Sequence, residues 1–291
     1  MNKKLLLVND VPGAAKVAAN VNFPVLSAGQ IEVAILPTLI LSNYAGSPGP
    51  IVKHQVGQDF NAMLNHWEFL ELTFDAILTG YFGESNQIDE IISYYLRQTN
   101  QPKLLVDPTM GDLGKLYKGF DAHIVEKMTR LIQYADLVMP NITEACYLTK
   151  TPYKESFTLE ELTDMGNKLI ELGAKNIVIT GVSKVGTSND QIGFYLISDK
   201  QKPILLSHQR FPDRFFGTGD LAISLLAVFY LADFDIEASL VKTAELIEEV
   251  LEVTLEFGQP KEAGLVFEPI LSKLYSIILK GMELKYNEKT N

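Results

Sequence analysis

The short segment FGTGD, residues 216–220, holds residue types that could bind an anion and activate a hydroxyl group. Gly217 and Gly219 flank Thr218 just before an apolar run, and glycines at a helix N-terminus let several backbone N–H groups point at one anion. Asp220 would lie in the first turn, where a carboxylate could accept the proton of an attacking hydroxyl. The pattern therefore indicates phosphoryl transfer, while an ordinary glycine-rich turn before a helix stays open as an alternative.

Two further polar segments follow predicted strands. Asp107 opens the segment DPTMGD, and Asn141 and Glu144 belong to the segment PNITE. Carboxylate and amide oxygens are ligands that Mg²⁺ takes directly or through water. Thr180 ends a third predicted strand, and ligands of parallel sheets bind at the carboxyl ends of the strands. The sequence thus predicts a metal-nucleotide site at one edge of a sheet, although Glu144 alone would also suit an ordinary helix start.

The elements that must position these residues alternate along the chain. Short apolar runs read as buried strands, and helix-length amphipathic segments separate several of them. The predicted strands are residues 5–8, 31–36, 76–79, 104–106, 137–139 and 177–180. The predicted helices are residues 86–98, 122–134, 159–172 and 221–232, and the last third is predicted to be mainly helical. This order predicts an α/β protein with a central, mostly parallel β-sheet flanked by helices on both faces, built as one domain over residues 1–291.

Composition limits the partners and the compartment. The 291-residue chain carries a net charge of −11, and such an acidic surface argues against nucleic-acid binding. Cys146 is the single cysteine, which excludes an internal disulfide and fits a reducing compartment. No apolar run suits a signal peptide or a membrane span, so we expect a cytoplasmic protein that does not bind membranes.

The glycine-rich turn has a second interpretation. Residues 217–222 also fit the dinucleotide-binding pattern G-x-G-x-x-A of nucleotide-dependent oxidoreductases. That fold requires a strand directly before the turn and an acidic strand end about 20 residues later, and the sequence shows neither signal. No G-x-x-x-x-G-K-[ST] segment occurs either, so a Walker A loop is excluded.

Six segments together resemble the pyridoxal kinases of the ribokinase-like superfamily. They cover nearly the whole chain in the order VNDVPG (8–13), LPTLILSNYAG (36–46), TGYFGE (79–84), DPTMGD (107–112), PNITEA (140–145) and FGTGD (216–220). The resemblance implies ATP-dependent phosphorylation of the hydroxymethyl group of pyridoxal, pyridoxamine or pyridoxine, which gives the 5'-phosphate in vitamin B6 salvage. It also implies Mg²⁺ and a homodimer, and it leaves a requirement for a monovalent cation open.

The resemblance further implies a role for each matching residue. Asp220 would be the base that activates the hydroxymethyl group, and Gly217, Thr218 and Gly219 would form the anion hole for the transferred phosphoryl group. The remaining matches divide into a nucleotide and metal group (Asp107, Asn141, Glu144 and Thr180) and a substrate group (Asp10, Thr38, Asn43 and Tyr81).

Two departures concern the substrate. Hydroxymethylpyrimidine kinases are similar but typically carry cysteine where Asp220 stands, which favours the pyridoxal branch. Many relatives carry serine where Asp10 stands, and the loop GAAK (13–16) differs from theirs as well. An ionised carboxylate only accepts hydrogen bonds, so the preferred vitamer is open. A hydroxymethylpyrimidine kinase and a catalytically silent vitamin-binding protein on the same fold therefore stay as alternatives.

Overall fold

Most of the apolar runs are strands of one sheet. The computed structural model describes residues 3–183, 191–209, 215–258 and 260–290. The strands are β1 (Lys3–Pro12), β2 (Ile31–Leu41), β3 (Lys53–Gln55), β4 (Ala76–Thr79), β5 (Lys103–Val106), β6 (Gly111–Asp112), β7 (Lys115–Leu116), β8 (Leu137–Val138), β9 (Asn176–Val182), β10 (Gln191–Ser198) and β11 (Gln201–Gln209).

The helices lie between the strands and after the last of them. They are α1 (Ala19–Ala28), α2 (Asp59–Phe69), α3 (Asn86–Arg97), α4 (Ala122–Ile132), α5 (Ile142–Thr149), α6 (Leu159–Glu171), α7 (Thr218–Leu231), α8 (Ile236–Phe257) and α9 (Leu271–Thr290). Short 3₁₀ turns at Lys261–Ala263 and Glu268–Ile270 connect α8 to α9. Among the described helices none is long and apolar enough to cross a membrane.

The sheet is parallel in its centre and antiparallel at both sides. Within the described residues its nine strands have the order β11-β10-β9-β8-β5-β4-β1-β2-β3. The pairs from β2 through β1, β4, β5 and β8 to β9 are parallel, while β3, β10 and β11 join antiparallel. Strands β6 and β7 form a separate small hairpin.

Helices cover both faces of the sheet, as the sequence predicts. One hydrophobic cluster joins alternate strand residues to α1, α7, α8 and α9, and the other joins the opposite strand faces to α2 through α6. Central strands buried on both faces read as continuous apolar runs, as in the fully buried segment Leu5, Leu6, Leu7 and Val8 of β1. The fold is therefore an α/β sandwich of three layers.

The structure corrects some of the predicted elements. The last third is helical only after β11, because β10 and β11 form an antiparallel hairpin that the sequence pattern does not predict. The helix predicted from residue 221 begins at Thr218, which places Asp220 in its first turn as expected. Strands β1 and β2 extend several residues beyond their predicted ends and carry Asp10 and Thr38.

Candidate active site

The carboxyl ends of the parallel strands form one stepped edge. Backbone hydrogen bonds run across it from Gly80 N–H to the Val8 carbonyl, from Asp107 N–H to the Thr79 carbonyl, and from Thr180 N–H to the Pro140 carbonyl, each 2.9 Å long. Asp10, Tyr81, Asp107, Asn141 and Thr180 therefore leave neighbouring strands at the same side of the sheet. The edge brings together residues that lie far apart in the sequence.

Two strand pairs, β1–β2 and β9–β10, have a β-bulge close to predicted site residues. Between β1 and β2 the register shifts around Asp10 and Thr38, so that Asn9 opposes Pro37 but Val11 opposes Ile40. Between β9 and β10 the register shifts just after Thr180, where Gly181 has a φ of 74°. Bulges bend a strand and redirect its side chains, and they occur often beside active sites.

The glycine-rich turn begins α7 with an uncommon backbone. Gly217 has a φ of 84°, and a Cβ atom there would lie 2.2 Å from the Lys16 carbonyl oxygen. The Thr218 hydroxyl donates to the Phe215 carbonyl at 2.8 Å. Among the described residues, a Cβ atom at Gly219 would meet no atom within 4 Å apart from its chain neighbours and the backbone of its own helix, so the space beside the first turn of α7 is open to these residues. This open space lies where the helix dipole favours an anion.

The carboxyl group of Asp220 is held by a strained loop. The backbone N–H of Ala18 faces it, and Ala18 has a φ of 50° and a ψ of −132°, a conformation that side-chain-bearing residues rarely adopt. Burial raises the pKa of Asp220 to about 6, while the N–H groups of Ala18 and of Asp220 itself oppose this rise. The carboxyl group is therefore poised to exchange a proton near neutral pH.

Asp10 and Asp107 share the acidic environment of Asp220. Burial and, second, the Asp220 carboxylate raise the pKa of Asp10 to about 7. Asp107 has its pKa raised to about 7 by the same two causes, burial first and Asp220 second. Burial and Asp107 also raise the pKa of Glu144. These carboxyl groups are close enough to repel one another when ionised.

Glu144 and Asn141 form a capping box at the N-terminus of α5. The Glu144 carboxylate accepts from the N–H of Asn141 at 2.8 Å and from that of Met110 at 3.2 Å, and the N–H of Gly111 helps to lower its pKa. The Asn141 side chain accepts from the Glu144 N–H at 3.0 Å and donates to the Gly111 carbonyl at 2.8 Å. The box thereby fixes the loop after Asp107 to α5.

Two of the predicted substrate residues meet at a buried asparagine, and a third bonds one of them. Asn9 accepts through Oδ1 from the N–H groups of Asp10 and Tyr81, both at 2.9 Å. The Thr38 hydroxyl is fully buried and donates to the Tyr81 carbonyl at 2.7 Å. Burial and the Asp10 carboxyl group raise the pKa of Tyr81, whose ring stacks on Phe120 at 5.1 Å. Asp10 and Tyr81 thus face the same space, and the buried Thr38 hydroxyl holds the backbone of Tyr81.

Asn43 lies apart from these three residues. It shapes the loop after β2, because Oδ1 accepts from the Tyr44 N–H at 2.9 Å and Nδ2 donates to the Ser47 hydroxyl at 3.0 Å. The Tyr44 ring in turn contacts the Phe216 ring at 4.9 Å, directly before the glycine-rich turn. The loop after β2 therefore contacts the segment that begins the glycine-rich turn.

The donor set fits Mg²⁺ bound together with phosphate oxygens. Within the described ranges no three Asp, Glu, His or Cys side chains gather closely enough to hold a metal by themselves. Mg²⁺ commonly takes one or two carboxylates and completes its shell with water and substrate phosphates. The Asp220 carboxylate raises the pKa of Asp107, and a cation between such carboxylates would relieve their repulsion. Glu144 and Asn141 use their polar atoms in the capping box, so water would link them to the ion.

Several site residues carry little sequence signal. Tyr117 follows β7, and burial followed by Glu144, Asp112, Asp107 and Asp220 raises its pKa, so its hydroxyl lies over the acidic groups. Ala18 gives no sign of its positive φ, because alanine is not a typical residue for it. Asn22 offers the one readable signal, a polar side chain in the otherwise apolar face of α1.

Comparison with known proteins identifies the family of the chain. A family model described as phosphomethylpyrimidine kinase matches residues 53–265. Curated relatives include the pyridoxal kinases PdxY of Actinobacillus pleuropneumoniae (27% identity over 252 residues, 81% of this chain and 83% of that protein) and Haemophilus influenzae (28% over 250 residues, 81% and 83%).

Solved structures give the same result. A Bacteroides thetaiotaomicron protein, assigned as a candidate phosphomethylpyrimidine kinase and crystallised with pyridoxal, superposes with a TM-score of 0.88 at 30% identity over 94% of this chain and 96% of that chain. The pyridoxal kinase of Lactobacillus plantarum gives a TM-score of 0.87 at 29% identity, over 94% and 97%.

The fold and the site define an α/β kinase of the ribokinase-like class. The strand that precedes the glycine-rich turn in the sequence is β11, which joins the edge of the sheet antiparallel. A dinucleotide-binding oxidoreductase needs a parallel strand before this turn, so the fold does not fit that class. The chain belongs to the phosphomethylpyrimidine kinase family and, within it, to the pyridoxal kinases.

Proposed function

We propose that this protein transfers the terminal phosphoryl group of ATP to the hydroxymethyl group of a vitamin B6 pyridine. One observation carries the proposal. The Asp220 carboxyl group, at the N-terminus of α7, interacts electrostatically with Asp10 in the substrate space and with Asp107 on the nucleotide side. A base between the two substrates can reach the hydroxyl that must be activated.

The residue roles follow from these positions. The pKa of Asp220, about 6, leaves most of its carboxyl groups ionised at neutral pH and able to take the hydroxymethyl proton. As the hydroxyl oxygen bonds to the γ-phosphorus, the bond to the bridging oxygen of ADP breaks. The N–H groups of Gly217, Thr218 and Gly219 would hold the transferred phosphoryl oxygens. Mg²⁺ would supply positive charge at the phosphates, with Asp107 as the carboxylate facing it.

A coupled assay tests the proposal. ADP release would be followed with ATP and, in turn, pyridoxal, pyridoxamine, pyridoxine and hydroxymethylpyrimidine. We expect at least one vitamer to be phosphorylated with a higher kcat/KM than the pyrimidine. The description of the matching family model favours hydroxymethylpyrimidine as the second candidate substrate, and a reversed order would establish it. Binding of a vitamer without ADP release would indicate a silent binding protein.

The setting of the enzyme is a further part of the proposal. Cys146 is the single cysteine of the chain and is free, so no internal disulfide forms, which supports a reducing cytoplasm. Exposed apolar side chains at the β2–β3 side of the sheet support a homodimer, with Ile40 at 42% and Val52 at 73% exposure. Light scattering would give the oligomeric state, and assays in sodium or potassium salts would show whether a monovalent cation is required.

A further inference from the structure

Two buried asparagines connect the substrate space to the predicted base. Asn9 at the end of β1 and Asn22 in α1 are 3% and 1% exposed. Asn9 Nδ2 donates to Asn22 Oδ1 at 2.8 Å. Burying two side-chain amides costs free energy unless all their polar atoms have hydrogen-bond partners. The outer contacts, meaning those that each asparagine makes with residues other than its partner, therefore show which parts of the site the pair connects.

The outer contacts of Asn9 lie on the substrate side. Its Oδ1 accepts from the backbone N–H groups of Asp10 and Tyr81. Gly80 leaves room for the amide, because a Cβ atom there would lie 2.6 Å from Asn9 Nδ2. Asn9 therefore sets the backbone from which both predicted substrate residues project.

The outer contacts of Asn22 lie on the side of the base. Its Nδ2 donates to the Asp220 carbonyl at 3.0 Å and to the Ser224 hydroxyl at 2.8 Å. The Ser224 hydroxyl also donates to the Asp220 carbonyl at 2.8 Å. Asn22 thus holds the first turn of α7, which carries Asp220, through both the backbone and a second side chain.

The directions of these hydrogen bonds are fixed by chemistry. Asn9 Oδ1 faces two N–H donors, so its NH₂ group must face Asn22. Asn22 must then present its oxygen to Asn9 and its NH₂ group to the Asp220 carbonyl. An aspartate at position 22 would keep the first contact and oppose an oxygen to the second.

We propose that Asn22 is a positioning residue that sets the distance between the substrate and the Asp220 carboxylate. This role rests on the proposed phosphoryl transfer. α1 packs directly on α7, with a Cβ atom at Gly29 lying 2.4 Å from Val228, so packing places the two helices side by side. Packing alone leaves sliding along the helices open, because apolar contacts are non-directional. The amide contact of Asn22 removes this freedom at the turn that carries the base.

The test measures kcat per nucleotide-binding site in Asn22→Ala and Asn22→Asp, on whichever alcohol the wild type phosphorylates. Sites are counted by titration with a non-hydrolysable ATP analogue. We expect kcat to fall about 10- to 100-fold, because misplacement of reacting groups by about 1 Å can cost about 10²-fold. The Kd of the analogue should stay within about twofold. Asn22→Asp should be at least as slow as Asn22→Ala, since its oxygen faces the Asp220 carbonyl.

Two further variants separate positioning from general stability. Thr243→Val removes an equally buried hydroxyl from α8, where it bonds only the Ser239 carbonyl among the described contacts, and should lower Tm without changing kcat. Ser224→Ala removes the second of the two contacts through which Asn22 holds this turn, so it should lower kcat measurably, though less than Asn22→Ala does. Should both Asn22 variants fail to fold, Ser224→Ala with a wild-type kcat would overturn the proposal.

The remaining outcomes are also distinct. An active wild type with an unchanged kcat in folded Asn22→Ala overturns the positioning role alone. A parallel loss of kcat and analogue binding shows a general distortion of the site and also overturns it. A wild type that phosphorylates none of the alcohols overturns the proposed function, and the positioning role with it.

Discussion

The backbone N–H of Ala18 faces the side-chain carboxyl group of Asp220 and lowers its pKa. Ala18 stands at the start of α1 with a positive φ, so a strained residue from the substrate loop stabilises the ionised form of the predicted base. The Lys16 carbonyl packs against Gly217 in the same region, and Lys16 Nζ forms an ion pair with Glu268 at 2.7 Å. The loop before α1 and the turn before α7 therefore form one unit.

Replacing Asp220 by asparagine should nearly abolish turnover while ATP binding survives. The amide has no basic oxygen for the hydroxymethyl proton, and a general base contributes about 10²- to 10⁴-fold. Steady-state kinetics and calorimetric ATP titration would measure the two effects. Asp164→Asn, an exposed site on α6, is the matched control and should be silent. More than roughly a third of the wild-type rate in Asp220→Asn would remove Asp220 from its role.

The two glycines of the turn should respond differently to alanine. Gly217→Ala introduces a Cβ atom 2.2 Å from the Lys16 carbonyl at a φ of 84°, so it should lower Tm and activity together. Gly219→Ala meets open space, so its Tm should stay near that of the wild type. Its methyl group would project into the predicted phosphate site, and we expect kcat/KM for ATP to fall. Equal Tm losses in both variants would contradict this assignment of the open space.

Activity should require Mg²⁺, and Glu144→Gln should shift the Mg²⁺ titration. EDTA should remove activity and added Mg²⁺ should restore it. Glutamine replaces an acceptor oxygen by NH₂, so one N–H of the capping box loses its partner and the loop after Asp107 loosens. Glu161→Gln is the matched control, because it disrupts the equivalent capping box of α6 away from the site. An EDTA-resistant rate would refute the metal assignment.

Replacing Asp10 by asparagine should raise stability, and the gain should grow with pH. The pKa of Asp10 is raised from 3.8 to about 7 in the folded protein, so the wild type loses stability as pH rises through this window. The neutral amide carries no such penalty, and the gain should level off above about pH 7, at no more than about 4 kcal/mol. Urea unfolding at several pH values would measure it. A gain confined to acidic pH would contradict the raised pKa.

The vitamer preference should also follow the ionisation of Asp10. Ionised Asp10 attracts the ammonium group of pyridoxamine, whereas protonated Asp10 can donate and accept as a hydroxyl does. A charge-assisted hydrogen bond contributes about 1.5–3 kcal/mol, or roughly 10- to 150-fold in kcat/KM. The pyridoxamine-to-pyridoxal ratio should therefore rise with pH through about 7 in the wild type and stay flat in Asp10→Ser.

The same ratio distinguishes a second interpretation, in which Asp10 caps the loop after β1. None of the N–H groups of the described residues 11–16 donates to its carboxylate, and its own N–H is the backbone donor that lowers its pKa. An equal ratio in wild type and Asp10→Ser at every pH would leave Asp10 without a substrate role.

Sequence alone determined the layers, the edge of the sheet that holds the site and the helix start that carries Asp220. These features depend on local signals: apolar runs, glycines before a helix and polar residues after strands. The hairpin of β10 and β11 was not predicted, because its strands alternate little between polar and apolar residues. A local sequence pattern does not show which edge strand of a sheet an antiparallel hairpin will join.

Only the tertiary structure decided which polar atoms meet. Glu144 suited both a metal ligand and a helix cap, and the fold gives its oxygens to backbone N–H groups of another loop. Asn22 and Asp220 lie 198 residues apart, and no spacing rule links them. The raised pKa values of Asp10 and Asp107 arise from burial beside Asp220. Such effects depend on distances between strand ends, which chain folding sets and sequence separation does not.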